Sequence, residues 1–237
     1  KLSGYTFSKD DTFRIPIAGM VIASVTGTSN PATNTDANLK NKQLSLDQAS
    51  LFLAGKLSQQ AGIFSQVTYD GIIKKSSIDQ SEIRIANTFS ANNHVFITGL
   101  TVNNTPGMSE PYNSLPAWGF PFISSAIAPT PTEASLLDGL LSLRVVGITG
   151  YTQIDGKWFG ELGTYRSLSQ NFQSTLGLGT DADPGVVHGS LYGRFARHEN
   201  FSDHSVSGGL TYFSAAIQSD RNSAEGTRAI EEAGAFG

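Results

Sequence analysis

Apolar and polar residues alternate along two long neighbouring stretches of the chain, residues 44–57 and 63–70. In the first stretch, Leu51 and Leu53 lie on one set of alternate positions and Gln48 lies on the other. Strict alternation predicts a strand with one apolar and one polar face. Such strands are longer than the usual soluble strand of about 5–6 residues, and their length is close to the roughly 9–11 residues that a tilted strand needs to cross a bilayer.

Similar patterns recur along the chain and predict about nine strands in total. These strands are residues 13–26, 44–57, 63–70, 78–87, 94–103, 140–154, 158–169, 189–198 and 204–217. Asp155-Gly156 predicts a tight hairpin, because this dipeptide readily adopts the positive φ angles of a two-residue turn. Helical periodicity is found only in the tail, at residues 223–234.

A chain of such strands has two possible architectures. In a membrane, the backbone N–H and C=O groups must all be paired, so the strands have to close into a barrel. In water, the apolar faces of two sheets would pack together as a sandwich. The length of the strands favours an all-β, antiparallel transmembrane β-barrel of about 9–12 long strands. Residues 1–218 would form its single domain and residues 219–237 a C-terminal tail or partial segment. Closure by these strands alone and closure with further chain or another subunit are the two alternatives.

The composition supports this interpretation. Only 15% of the residues are Asp, Glu, Lys or Arg, compared with about 25% in typical soluble domains. The net charge of −4 is spread along the chain without a basic patch, which argues against binding to nucleic acid. The expected partner is therefore the lipid of a membrane.

The residues that could carry chemistry are few. The chain has no cysteine, so it has no disulfide, no Cys-ligated zinc and no covalent haem of the C-x-x-C-H type. His198, Glu199, Asp203 and His204 have metal-binding side chains, but their spacing across a polar turn matches no established ligand pattern, and a solvated hairpin tip is the simpler interpretation. No G-x-S-x-G nucleophile elbow is present. We therefore expect no cofactor within these residues and no enzyme activity.

The polar positions of two predicted strands indicate what the interior of a barrel would contain. These candidate lumen-lining residues are Gln66, Thr68, Asp70, Gln80, Glu82 and Arg84. Oppositely charged neighbours in a wet interior would select solutes. An ion-pair network that fills a closed interior is the equally favoured alternative.

Aromatic residues provide two further expectations. An aromatic girdle at the membrane interfaces would use the residues near predicted strand ends, namely Tyr5, Tyr69, Tyr151, Trp158, Tyr165, Tyr192 and Tyr212. The long segment 104–133 is rich in proline, which removes backbone donors and excludes a strand within a sheet. Its aromatic residues, Tyr112, Trp118, Phe120 and Phe122, would form a constriction, a docking surface for a partner, or a cap over the barrel rim.

Four stretches of the sequence resemble a known family. They are LSLDQASLFLAGKLSQQAGIFSQVTYDG, SIDQSEIRIAN, VNNTPGMSEPYNSLPAWGFPF and SSAIAPTPTEASLLDGLL. Together they are similar to proteobacterial porin-like outer-membrane proteins, often described as cytochrome c family proteins, and the similarity runs from Lys1 to around Ser169. The resemblance implies a barrel in the outer membrane. In that family a C-x-x-C-H haem segment commonly precedes a start like KLSGYT, so haem c is expected only upstream of Lys1 or on a partner cytochrome.

These observations predict an outer-membrane β-barrel that acts as a porin-like conduit or as the membrane scaffold of a surface assembly. One alternative is a component of an outer-membrane electron-transfer complex, with haem supplied by an upstream segment or a partner. The other alternative is a soluble β-sandwich binding module.

Overall fold

Ten antiparallel strands and one short helix make up the part of the chain that the computed structural model describes, which is residues 17–27, 43–107, 137, 141–179, 183–219, 221 and 226–236. The strands are β1 (Ile17–Thr26), β2 (Gln43–Lys56), β3 (Ala61–Asp70), β4 (Lys75–Ala91), β5 (His94–Asn103), β6 (Val145–Ile154), β7 (Trp158–Ser167), β8 (Val186–Asn200), β9 (Ser205–Gln218) and β10 (Arg228–Phe236). The helix, α1 (Gln170–Thr175), lies between β7 and β8. The predicted all-β antiparallel class is confirmed.

The strands form a single sheet in which each strand pairs with its neighbours in sequence, from β1 to β10. The sheet is not closed into a barrel: among the described residues β1 and β10 pair with β2 and β9 alone and form its two edges. The strands are 9 to 17 residues long, so each is as long as a membrane-crossing strand has to be. No helix among the described residues is long and apolar enough to span a membrane.

The two ends of the sheet differ in their connections. At one end, short turns join β2 to β3, β4 to β5, β6 to β7 and β8 to β9. At the other end, the β3–β4 turn at residues 71–74 is also short, but the connections that follow β1, β5, β7 and β9 are longer, and the one after β5 runs from residue 104 to residue 144. Short turns at one end and longer loops at the other are typical of outer-membrane barrels. We call these the short-turn end and the long-loop end.

The hairpin between β6 and β7 forms as the sequence predicts. Asp155 and Gly156 have φ angles of 53° and 69°, as a type I′ turn requires. Asn92 and Asn93 have positive φ angles as well and form the equally short turn between β4 and β5. The helical periodicity of residues 223–234 does not correspond to a helix. Part of this segment forms β10, which pairs with β9.

One face of the sheet, which we call the outer face, is apolar and exposed. Its large exposed residues occupy alternate positions on the strands and include Ile17, Val21, Leu51, Val67, Ile83, Ile85, Leu100, Val102, Ile148, Leu162, Leu191, Phe195, Val206 and Leu210. Leu53 and Ile63 belong to the same face. Leu53 is opposite Ser65, and Ile63 is opposite the exposed Ile83. In water this surface would far exceed the few hundred Å² of apolar patch that is usual for a soluble monomer.

The opposite face, which we call the inner face, is buried and largely polar. Its buried polar residues include Ser45, Ser50, Gln66, Thr68, Glu82, Thr101, Asn103, Thr149, Glu161 and Arg194, and its buried aromatic residues are Phe52, Tyr151, Phe159, Tyr165, Tyr192 and Phe213. The usual distribution, with apolar residues inside and polar residues outside, is therefore reversed in this sheet. The alternation in the sequence predicts the two faces correctly.

Candidate functional site

Gln66 and Thr68 of β3 lie at the centre of a buried hydrogen-bonded cluster. The Gln66 amide nitrogen donates to the Thr68 hydroxyl at 3.0 Å, and the Thr68 hydroxyl donates to the Asp79 carboxylate at 2.7 Å. The Ser50 and Thr68 hydroxyls are 2.9 Å apart. Asp79 reaches this cluster because the β3–β4 register shifts between Ser65 and Val67, which marks a β-bulge. Sequence alternation alone does not place Asp79 on the inner face.

The other candidate lumen residues have separate positions. Asp70 ends β3, and its carboxylate accepts the N–H groups of Ile72 and Ile73 at 2.8 and 3.0 Å, so it holds the turn between β3 and β4. Gln80 is half-buried in the bulge beside Asp79. That the six candidates together line a lumen stays a prediction.

Glu82 and Arg84 form an ion pair along β4, with 2.5 Å between Glu82 Oε1 and Arg84 Nε. The Arg84 guanidinium also lies over the Tyr151 ring, 5.1 Å from its centroid, in the arrangement of a cation–π contact. Glu82 is buried, whereas Arg84 is partly exposed. That these side chains line an open lumen stays a prediction.

Two further buried charged residues, on neighbouring strands, were not predicted as a site. Glu161 of β7 and Arg194 of β8 stand directly opposite each other in the strand register, and their exposed fractions are 2% and 4%. The Thr149 hydroxyl donates to Glu161 Oε1 at 2.5 Å. With Arg84 and Tyr151, these residues form a charged belt across the middle of the inner face. The alternation within WFGELGTYR and LYGRFARHE is the sequence signal for the pair.

Towards the long-loop end, the inner face is filled by an apolar cluster. Its buried members are Leu137, Leu141, Val145, Tyr165, Val187, Tyr192, Phe213, Ala215 and Ile217. Tyr165 and Tyr192 are fully buried and pack edge to face with 5.7 Å between ring centroids. The Tyr165 hydroxyl donates to Asn103 Oδ1 at 3.1 Å. This half of the inner face is packed like a protein core.

The expected aromatic girdle is only partly correct. Tyr151, Tyr165 and Tyr192 are buried on the inner face and so cannot form an outer girdle. Trp158 does lie on the outer face at the short-turn end, where the Arg197 guanidinium stacks on its ring at 4.5 Å. A tyrosine on a strand can face either way, and its distance from the strand end does not decide which.

Both described ends of the long connection between β5 and β6 are held against the sheet. At its start, the Ser81 N–H donates to Asn104 Oδ1 and the Asn104 amide donates to the Asp79 carbonyl, both at 2.8 Å. Near its end, Leu137 and Leu141 enter the apolar cluster of the inner face. The aromatic candidates Tyr112, Trp118, Phe120 and Phe122 lie outside the described residues, and their role stays a prediction.

A polar network ties three connections together at the long-loop end. Arg144, which precedes β6, donates to Gln173 Oε1 of α1 at 2.7 Å. The Gln173 amide donates to Asp183 Oδ1 at 3.2 Å, and Arg221, in the connection after β9, contacts both Asp183 oxygens at 2.7 and 3.0 Å. Gln173 is fully buried. The network acts as a polar cap over the adjacent apolar cluster.

We expect acid to loosen this cap. Burial alone would raise the pKa of Asp183, but the hydrogen bonds from Arg221, Gln173 and the Gly185 N–H outweigh it and lower the pKa to about 2. Because the pKa is lowered in the folded state, the stabilisation is complete above the unfolded value of 3.8 and is lost as the pH falls through about 2. Proteolysis of the loops should therefore accelerate between those pH values, as followed with an acid-active protease.

Asp183→Asn is the matched variant for this test. The amide cannot titrate, so its loop proteolysis should be faster than wild type at neutral pH and should change less on acidification. A wild-type protein whose protection is constant down to the lower limit would contradict the role of Asp183.

The outer face carries a groove with a volume of about 910 Å³ on strands β5 to β10. Gly150, Gly160 and Gly193 contribute to its floor, and Leu162 and Phe195 project beside it. The side chains that project are apolar, so the groove continues the character of the outer face. Glu161, Arg194 and Thr211 also border the groove, but most of its lining is glycine, alanine and large apolar residues.

The histidine-containing turn has the structure of a solvated hairpin tip. His198 and Asn200 at the end of β8 are joined by a hydrogen bond of 2.9 Å, and Asp203 and His204 are exposed in the turn. No group of three or more His, Cys, Asp or Glu side chains suited to a metal ion occurs within the described ranges.

No protein-family model, curated protein or solved structure matches this chain. The resemblance to porin-like and cytochrome c family outer-membrane proteins therefore stays a prediction, as does the expectation that any haem lies upstream or on a partner.

Proposed function

We propose that this chain is an outer-membrane β-sheet wall whose filled inner face makes it a membrane scaffold for a surface assembly. The observation that carries the proposal is the reversed distribution of residues: the outer face is apolar and exposed, and the inner face is polar and buried. Lipid is the solvent that suits such an outer face. Water suits neither face, because exposing the one and burying the charges of the other are both unfavourable.

The connections support the same proposal. Short turns collect at one end, and the longer connections collect at the other, where the Arg144–Gln173–Asp183–Arg221 network holds three of them together. A sheet inserted in a membrane would thereby present one organised surface built from several loops. Such a surface is what a scaffold requires.

The filled inner face favours a scaffold over a porin-like conduit. Porin interiors are polar and water-filled, whereas here fully buried Tyr165, Tyr192 and Phe213 occupy the inner face beside the buried charges. We therefore expect no discrete channel conductance when the purified protein is added to a planar bilayer. Regular conductance steps would instead favour the conduit.

The test of membrane insertion is a pair of identical substitutions. Ile148 is exposed at the middle of β6, and Ile73 is more exposed but lies in the β3–β4 turn. Arg on a lipid-facing strand costs about 2–4 kcal/mol at the bilayer midplane and close to nothing near the interface. Ile148→Arg should strongly reduce the membrane-integrated fraction after alkaline washing, while Ile73→Arg should leave it unchanged.

A soluble β-sandwich predicts a different result. Both isoleucines would then face water, both arginine variants would fold and remain soluble without detergent, and the two would behave alike. That outcome, or recovery of the unaltered protein from the aqueous fraction, would overturn the membrane proposal.

A further inference from the structure

The two edges of the sheet, β1 and β10, are its most unusual feature for a membrane protein. An edge strand exposes a row of unpaired backbone N–H and C=O groups, and each such group costs several kcal/mol in hydrocarbon. The following inference rests on the proposed membrane location. In a membrane, both edges need a partner strand in a definite register.

The register of the eight described pairings of β2 to β10 defines a continuous line across the inner face. The line passes through Lys56, Gly62, Arg84, Thr101, Thr149, Gly163, Tyr192, Phe213 and Glu232, each opposite the next. Ile17 of β1 stands opposite Leu53, which is three residues before Lys56 on β2, so the line extrapolates to a point three positions beyond the Ile17 end of β1. It therefore starts at the short-turn end of the sheet and reaches the middle of β10.

Closure of a barrel requires that this line be displaced along the strands by a definite number of residues. In a closed barrel the strands tilt by about 35–45°, and the register is displaced by a fixed shear. Ten strands spaced about 4.8 Å apart then displace the line by about 34–48 Å around the barrel, which is about 10–14 residues at about 3.4 Å per residue. The displacement must be even, so that inner residues meet inner residues.

We infer that β1 and β10 pair with each other in antiparallel orientation, with Ser24 opposite Glu232. This register corresponds to a displacement of about 10 residues, the smallest value within the range for an unstrained tilt. It pairs residues 20–26 of β1 with residues 230–236 of β10. A displacement larger by two residues would pair only residues 22–26 with residues 232–236. A displacement larger by four residues would pair only three residues of each strand.

The side chains on both edges agree with this register. Ser24 and Glu232 are half-buried and belong to the inner face, so a hydroxyl would stand opposite a carboxylate. On the outer face, Ala23 would stand opposite Ala233, and the bulkier Val21 opposite Ala235. All four of these outer residues are exposed, and small residues on β10 leave room for the valine of β1.

Cysteine cross-linking tests the register directly, because the chain has no cysteine of its own. Directly opposite residues of antiparallel strands have Cα atoms about 4.5–5.5 Å apart, within the range of a disulfide. The full chain carrying Ala23→Cys and Ala233→Cys should form an intramolecular disulfide in detergent or membranes. Ala216→Cys with Ala229→Cys is the positive control, since these alanines are opposite each other in β9 and β10.

The neighbouring register supplies the matched comparison, Ala23→Cys with Ala235→Cys. Its yield should be at least about fivefold lower than that of Ala23→Cys with Ala233→Cys, because a shift of two residues moves the Cα atoms beyond disulfide reach. The reverse order of yields would overturn this register. A disulfide between two chains, or none at all when the control pair cross-links, would overturn closure by β1 and β10.

These outcomes are independent of the membrane test. The cross-link reports pairing of the edges, whereas the comparison of Ile148→Arg with Ile73→Arg reports insertion. A protein that inserts without cross-linking would disprove the inference alone and show that other strands or another subunit cover the edges.

Discussion

Replacing Arg194 by methionine should destabilise the folded protein by about 3–5 kcal/mol, the usual cost of leaving a buried charge without a compensating opposite charge. The guanidinium stands opposite the Glu161 carboxylate on the neighbouring strand, and both side chains are almost completely buried. Methionine has a similar length and leaves no large cavity, so the lost charge dominates the effect. The free energy of unfolding, measured by urea titration in detergent, is the quantity to compare.

Arg197→Met on the same strand is the control. Arg197 is more than half exposed and pairs with Glu199 at 2.7 Å, and exposed ion pairs contribute only about 0–1 kcal/mol. Its contact with the Trp158 ring adds about 0.5–1 kcal/mol at an exposed site. Equal losses for the two variants would show that the charges of the inner face are not critical to stability.

The two faces of the sheet could be predicted from the sequence because strand periodicity is a local property. Leu51, Val67, Ile83 and Ile85 lie on the outer face, with Gln66, Glu82 and Arg84 opposite them on the inner face. The Asp155-Gly156 hairpin was equally clear, since its turn type depends on two residues. Neither signal reports whether the outer face meets lipid, which is why the membrane location is still a proposal.

Other features were missed because they depend on residues that are distant in sequence. The bulge that brings Asp79 to Thr68 arises where two strands change register, and one strand alone gives no sign of it. Arg144, Gln173 and Arg221 belong to three separate connections, and each is an ordinary polar residue in sequence. The tail was misinterpreted because pairing with β9 outweighs the weak helical periodicity around Glu231.

The glycines of the inner face show how backbone positions are reserved for aromatic rings. The Tyr165 ring lies directly over Gly147 on the adjacent strand, and a Cβ at Gly147 would overlap ring carbon Cδ1. Tyr151 covers Gly99 in the same way, with its Cζ 2.6 Å from the position of a Cβ. An aromatic ring that covers a cross-strand glycine protects it and fixes the strand register.

Gly147→Ala should therefore destabilise the protein by about 2–6 kcal/mol. Overpacking alone costs about 1–3 kcal/mol. Displacing Tyr165 also breaks the hydrogen bond from its buried hydroxyl to Asn103 and leaves that hydroxyl without its acceptor, at a further cost of about 1–3 kcal/mol. The loss should be visible as a lower midpoint of urea unfolding and as loss of the near-ultraviolet circular dichroism of the packed tyrosines.

Gly160→Ala separates this steric effect from the general consequence of adding a methyl group to a strand glycine. A Cβ at Gly160 would meet nothing within 4 Å, so alanine there should be neutral or slightly stabilising because it restricts the unfolded chain. If Gly147→Ala were as stable as Gly160→Ala, the Tyr165 ring would have to move at little cost, and the inner face would be loosely packed. A water-filled conduit would then explain the polar inner face better than a scaffold would.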